Sequence, residues 1–155
     1  MRSIRFATRP GSLALALSLT LVAAPTFAES PTFRGPDRDG IYTATGLVDK
    51  WPKAGPKKLW STTGLGEGYA SLAIHDGRIY TTGKNGNQGF AQAFDLNGKS
   101  LWKTGYGEEH PGNGYPGSRS TPSTDGEHVY VMSSMGLAIA MDAATGKIVW
   151  KIDTL

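Results

Sequence analysis

Two stretches alternate apolar and polar positions with a period of two. Residues 78–82, RIYTT, and 128–132, HVYVM, set Ile79, or Val129 and Val131, against Tyr80 or Tyr130 on opposite faces. β-Branched and aromatic residues in that alternation predict strands. The same pattern predicts two sets of four short strands. The first set covers about 70–75, 78–83, 90–95 and 99–103. The second covers about 119–124, 128–134, 137–142 and 147–152. Asp76-Gly77 and Asp125-Gly126 predict tight turns between strands. Asn97-Gly98 and Thr145-Gly146 supply glycine where the chain needs a positive φ. Beyond residue 28 no 3.6-residue period is sustained, so no helix is expected there.

The two sets are copies of one unit. SLAIHDGRIYTTG (71–83) aligns with STPSTDGEHVYVMSS (120–134), and AFDLNGKSLW (93–102) aligns with AMDAATGKIVW (140–150). A partial third copy, KKLWS (57–61), extends a tryptophan series through Trp60, Trp102 and Trp150. Repeats of this length are supersecondary units that stack or radiate. A single four-stranded sheet leaves one face uncovered, so several must pack face to face around an axis. The expected fold is therefore all-β: a β-propeller of four-stranded antiparallel blades, with two blades plus a closing strand present and the ring incomplete. An indole buries about 150–250 Å². At about 25 cal/mol per Å² that contributes roughly 4–6 kcal/mol as an upper bound. A tryptophan on each outer strand, wedged against the next blade, would then be the main contact between blades. The competing placement is a tryptophan in an ordinary sandwich core.

The expected organisation is residues 1–28 as a signal peptide, 29–56 as a lead-in segment and 57–155 as blades, divided at about 103/104. Arg2, Arg5 and Arg9 precede the apolar run Leu13–Ala24, and Thr26 and Ala28 stand at −3 and −1 of a cut before Glu29. The run is too short to span a bilayer as a helix and fits a secretory leader. The leader holds three of the 16 Lys and Arg and none of the 13 Asp and Glu, so the remainder is formally neutral. No basic cluster remains to bind nucleic acid, and no stable membrane insertion is expected after cleavage. The chain has no cysteine. That excludes disulfides, zinc–thiolate sites, a cysteine nucleophile and a lipid anchor on cysteine.

AMDAATGKIVW resembles the tryptophan-docking motif of the PQQ-like (quinoprotein-type) β-propeller repeats, through Ala140, Asp142, Thr145, Gly146, Lys147 and Trp150. The first copy matches at Ala93, Asp95, Gly98, Lys99 and Trp102, one residue shorter and without the threonine. FRGPDRDGIY (33–42) followed by WPKAGPKKLWS (51–61) is similar to the opening of secreted members of that family. The resemblance covers about residues 31–155. It implies closed rings of several hundred residues. On that basis this chain is expected to be an N-terminal piece of such a ring, prone to aggregation along exposed edges. It also implies a periplasmic or secreted location.

The resemblance implies two functions. The leading one is a non-enzymatic interaction scaffold, as in the outer-membrane assembly factor BamB. The alternative is part of a pyrroloquinoline quinone (PQQ)-dependent dehydrogenase, with the quinone over a calcium held by Glu, Asn and Asp. No calcium set maps onto this chain. No catalytic, cofactor or metal residue is assigned, and PQQ and calcium enter only under the alternative. Glu108, Glu109 and His110 are adjacent in a Gly- and Pro-rich stretch and are expected to form a solvated loop. His75 and His128 are expected at the surface. GLGEGY (64–69) and GKNGNQG (83–89) open no helix and are expected to be turns rather than phosphate-binding loops. Arg34 and Arg38 are expected to neutralise Asp37 and Asp39 locally. The longest connectors, 84–89 and 104–118, are expected on one face, where Tyr106, Tyr115 and Arg119 would meet a protein partner or ligand.

Overall fold

The computed structural model describes residues 29–42, 46–112 and 114–155. The expected signal peptide, 1–28, lies outside the described residues. Eight strands and no helix occur among them. The strands are β1 (Ala73–His75), β2 (Arg78–Asn85), β3 (Gln88–Asp95), β4 (Ser100–Glu108), β5 (Ser123–Thr124), β6 (His128–Met132), β7 (Leu137–Asp142) and β8 (Ile148–Asp153). They form two four-stranded antiparallel sheets in sequential order, β1-β2-β3-β4 and β5-β6-β7-β8. These are partial propeller blades, and no closed ring is formed among the described residues.

Local chemistry sets the turns. Asp76 and Gly77 both have positive φ, 46° and 70°. That is the primed turn whose twist matches a two-residue hairpin. At the equivalent Asp125-Gly126 turn only the glycine takes positive φ, and the Asp125 carboxylate instead accepts the Glu127 and His128 N–H groups. Outer strands β4 and β8 carry a bulge at the same place. Ala93 faces Trp102 but Phe94 faces Ser100, and Ala140 faces Trp150 but Met141 faces Ile148. Leu101 and Val149 are the extra residues, so the strand is re-aimed immediately before each tryptophan.

One face of the first sheet and one face of the second close over a common core. Tyr80, Ala91, Ala93, Trp102 and Tyr106 pack with Val129, Val131, Ile139 and Met141. The period-two alternation places them there, because residues two apart share a face. The lead-in reaches this body through Ser30, whose N–H and C=O bond Ile74 at 2.9 and 2.8 Å, and through Pro31, which accepts the Thr124 N–H at 2.9 Å.

Three expectations change. Residues 84–89 are not a long loop, because β2 and β3 run to Asn85 and from Gln88, leaving Gly86 and Asn87 as the turn. Strand β4 likewise continues to Glu108, because a second bulge, between Gly89 and Phe90, keeps it paired past its glycines. Residues 57–61 form no strand. They make no bridge to a strand among the described residues, and Trp60 is held instead against the β3–β4 turn.

Candidate functional site

The tryptophans use one recurring contact. Trp102 is 9% exposed, and its indole N–H donates to the Ala143 carbonyl at 3.0 Å. Its ring covers Gly146, where a Cβ atom would stand 2.5 Å from the indole. The φ of +71° there also favours glycine. Trp60 repeats the geometry one unit earlier: its indole N–H donates to the Leu96 carbonyl at 2.8 Å, and its ring lies over Gly98. Each of these tryptophans therefore sits on the β3–β4 or β7–β8 turn of the unit that follows it. The turns are shaped by aspartate. Asp95 accepts the Asn97 and Lys99 N–H groups at 2.9 Å, and Asp142 accepts the Thr145 N–H at 2.7 Å and its hydroxyl at 2.6 Å. The Thr145 hydroxyl, more than any other neighbour, holds the Asp142 carboxyl below its ordinary range. Ala93 and Ala140 are buried opposite the tryptophans in the strand ladder.

Trp150 departs from the expected wedge. It is 41% exposed and stacks on Tyr130 with ring centres 6.2 Å apart. The physical reason is that the two docking turns of the described residues, at Gly98 and Gly146, are already covered by Trp60 and Trp102.

At the other end of the strands the two sheets are clasped by buried polar groups. Glu109 is 1% exposed. Its carboxylate accepts the Tyr106 hydroxyl at 2.5 Å, the Ser134 N–H at 3.0 Å and the Ser134 hydroxyl. Burial first, and then the Glu109 carboxylate, push the Tyr106 phenol up from its ordinary value. Lys84, also buried, donates to the His110 and Pro111 carbonyls at 3.0 and 3.2 Å. Buried Ser118 meets the Thr82 hydroxyl at 2.7 Å. Charged groups out of water demand such partners. Glu109 is thus no solvated loop residue; its neighbours Glu108 and His110 are exposed.

Tyr106 is therefore corrected as a contact residue. The bulge turns its side chain into the core, where it is fully buried. Tyr115 and Arg119 do lie at the surface. The Arg119 guanidinium donates to the Tyr115 carbonyl at 3.0 Å, and the Tyr115 ring meets Tyr69 edge-on with centres 5.8 Å apart. Phe33, Tyr69 and Tyr115 are 59%, 61% and 66% exposed. Phe33, Tyr69, Arg119 and Thr121 together line a groove of about 220 Å³. The alternating Trp102, Thr104 and Tyr106 could have exposed the Tyr106 error, but Gly105 and Gly107 read as loop.

The remaining candidates are accounted for locally. His75 is half-buried and meets the Glu29 carboxylate at 2.7 Å; His128 stands 3.8 Å from Asp125. Arg34 donates to the Asp39 backbone carbonyl, and the Asp39 carboxylate accepts the Ile41 N–H. No ion pair joins Arg34 or Arg38 to Asp37 or Asp39 among the described residues, which corrects the expected neutralisation. Among the described residues no three His, Cys, Asp or Glu side chains gather where a metal ion could be held.

Residues 22–154 match the family model described as outer membrane protein assembly factor BamB, of the PQQ-like repeat type. The chain belongs to this family. The BamB-like match takes in both sheets and both docked turns. The chain is also 31% identical over 124 residues to the serine/threonine-protein kinase AfsK of Streptomyces griseus. That stretch is 76% of this chain and 14% of the kinase's length. Within a BamB-like repeat, the Asp-to-Gly turns and tryptophans are what the sequence repeats, and the structure places Trp102 and the Gly146 turn at the junction of the two sheets.

Proposed function

We propose that this chain is an exported, non-enzymatic scaffold of the BamB-like type, which holds a protein partner on the face formed by the connector 109–118 and the start of the first unit. The observation that carries this reading is the pairing of a rigid support with an exposed aromatic surface. Glu109, Lys84 and Ser118 lock the connector to both sheets, while Tyr69 and Tyr115 stand outside it. Exposed tyrosines and arginine on a fixed backbone are the residues that interfaces favour, because little side-chain entropy is lost on binding. Export rests on the leader pattern at 1–28. Among the described residues no helix is long and apolar enough to cross a membrane.

The test is site-specific photo-cross-linking in the native host. A benzophenone side chain at Tyr115 is expected to yield a discrete protein adduct. The same group at Lys147, exposed at the opposite end of the strands, is expected to yield none. Equal labelling from both positions, or no adduct from Tyr69, Tyr115 or Arg119, overturns the reading.

A further inference from the structure

Arg119 has no carboxylate within 4.0 Å among the described residues, and the one acceptor of its guanidinium is the Tyr115 carbonyl. The acid nearest Tyr69 in sequence, Glu67, is engaged elsewhere, 3.9 Å from Lys84 Nζ. A guanidinium carries five donors in a planar fork that matches a carboxylate. This one stands at the wall of a groove whose other walls are Phe33, Tyr69 and Thr121. The groove, about 220 Å³, exceeds the roughly 150 Å³ that a benzene ring occupies in an engineered protein cavity. The Thr121 hydroxyl accepts the Ser71 N–H at 3.0 Å, which leaves its own O–H as a donor. The wall thus offers one cation, two aromatic rings and one hydroxyl donor.

We infer that this groove takes an extended acidic segment of the partner, in which an aromatic side chain fills the space between Phe33 and Tyr69 while a neighbouring carboxylate pairs with Arg119. This rests on the scaffold reading and names the chemistry of its partner. Charge complementarity decides against a basic segment. The rings and the cation line one groove, and an extended peptide supplies an aromatic ring and a carboxylate on neighbouring residues. The ion pair supplies orientation and the ring most of the buried area.

The test is fluorescence anisotropy of the full chain with a capped, fluorescein-labelled peptide of sequence Ser-Glu-Phe-Glu-Ser. Saturable binding is expected, weakening as salt rises. Arg119→Gln is expected to reduce affinity by about tenfold, as for a lost hydrogen bond to a charged group. Phe33→Ala with Tyr69→Ala is expected to do about the same. All three side chains are exposed, so the melting curve should not move. On the unaltered protein, a peptide with Lys for both Glu is expected not to saturate. The inference is overturned if Arg119→Gln binds within twofold of the parent, or if the Lys peptide binds as well. It is also overturned if free N-acetylphenylalanine displaces the peptide at equal concentration, which makes the groove a small-molecule pocket. Adducts at Tyr115 without peptide binding leave the scaffold standing and remove only this chemistry. Peptide binding without adducts does the reverse.

Discussion

The two sheets carry the same pattern but live in different surroundings. Tyr80 lies under Trp102 with ring centres 6.0 Å apart, and Tyr130 lies under Trp150 at 6.2 Å. The bulge before each tryptophan and the ladder partner opposite it are also equivalent. Yet the first pair is buried in the junction, while in the second pair the indole is 41% exposed. The local geometry of this motif is therefore complete without a neighbour. A neighbouring turn changes the energy of the tryptophan, not its position. The face of the second sheet that carries Trp150, with Met132 and Ile152, is the exposed counterpart of the face that the first sheet buries.

That difference can be broken most forcefully at the tryptophans. Trp102→Ala removes a buried indole and its bond to Ala143, and is expected to cost about 3–5 kcal/mol of unfolding free energy. Trp150→Ala is expected to cost less than about 1 kcal/mol, in keeping with a surface substitution. Urea unfolding of both variants checks this, and equal shifts would show that the junction does not rest on Trp102.

The docked turns give a finer contrast. Gly146→Ala drives a methyl group against the buried Trp102 ring at a positive φ, at an expected cost of about 1–3 kcal/mol. In Gly98→Ala the methyl meets the half-exposed Trp60 ring, 2.7 Å from the built Cβ position, which has room to swing away. Its expected cost is about 1 kcal/mol, chiefly from backbone strain. Thermal melts, with the tryptophan emission maximum as second readout, compare them. A red shift is expected for both, and the larger loss of stability for Gly146→Ala. The reverse ranking would mean that Trp60 is the more firmly seated ring.

The smallest expected effect is on pH dependence. The folded-state pKa of Asp142 lies below its unfolded value, so its contribution is fully present above about pH 4 and is lost as the pH falls through the folded pKa. Thr145→Val removes the hydroxyl responsible and is expected to flatten this part of the stability profile. The first unit carries Asn97 before its glycine where the second carries Thr145, and serves as the internal contrast. Urea midpoints at pH 7, 4 and 3 measure the change; an unaltered acid slope would assign it to other carboxylates.

Much of the architecture was legible in the residues. The alternation at 78–82 and 128–132 located β2 and β6, and Asp76-Gly77 located the turn between β1 and β2. The repeat of Asp, Gly and Trp marked the docking motif without naming the partner of each ring. Less of the candidate face was legible. Tyr115 and Arg119 were read at the surface, but Phe33 and Tyr69 join them only because the lead-in and the first unit return to the same groove. Glu109 and Lys84 carry the sequence signature of solvated residues. Their burial depends on Ser134 and on the His110 and Pro111 carbonyls, which no local rule brings near them.

The amino-acid sequence alone determined strand, turn and repeat, since alternation and glycine act through the backbone within a few residues. Only the tertiary structure decided which indole is covered, which tyrosine is hidden and which charges are clasped between sheets. Burial is a property of what arrives from elsewhere in the chain, and the equivalent tryptophans Trp102 and Trp150 therefore end in different surroundings.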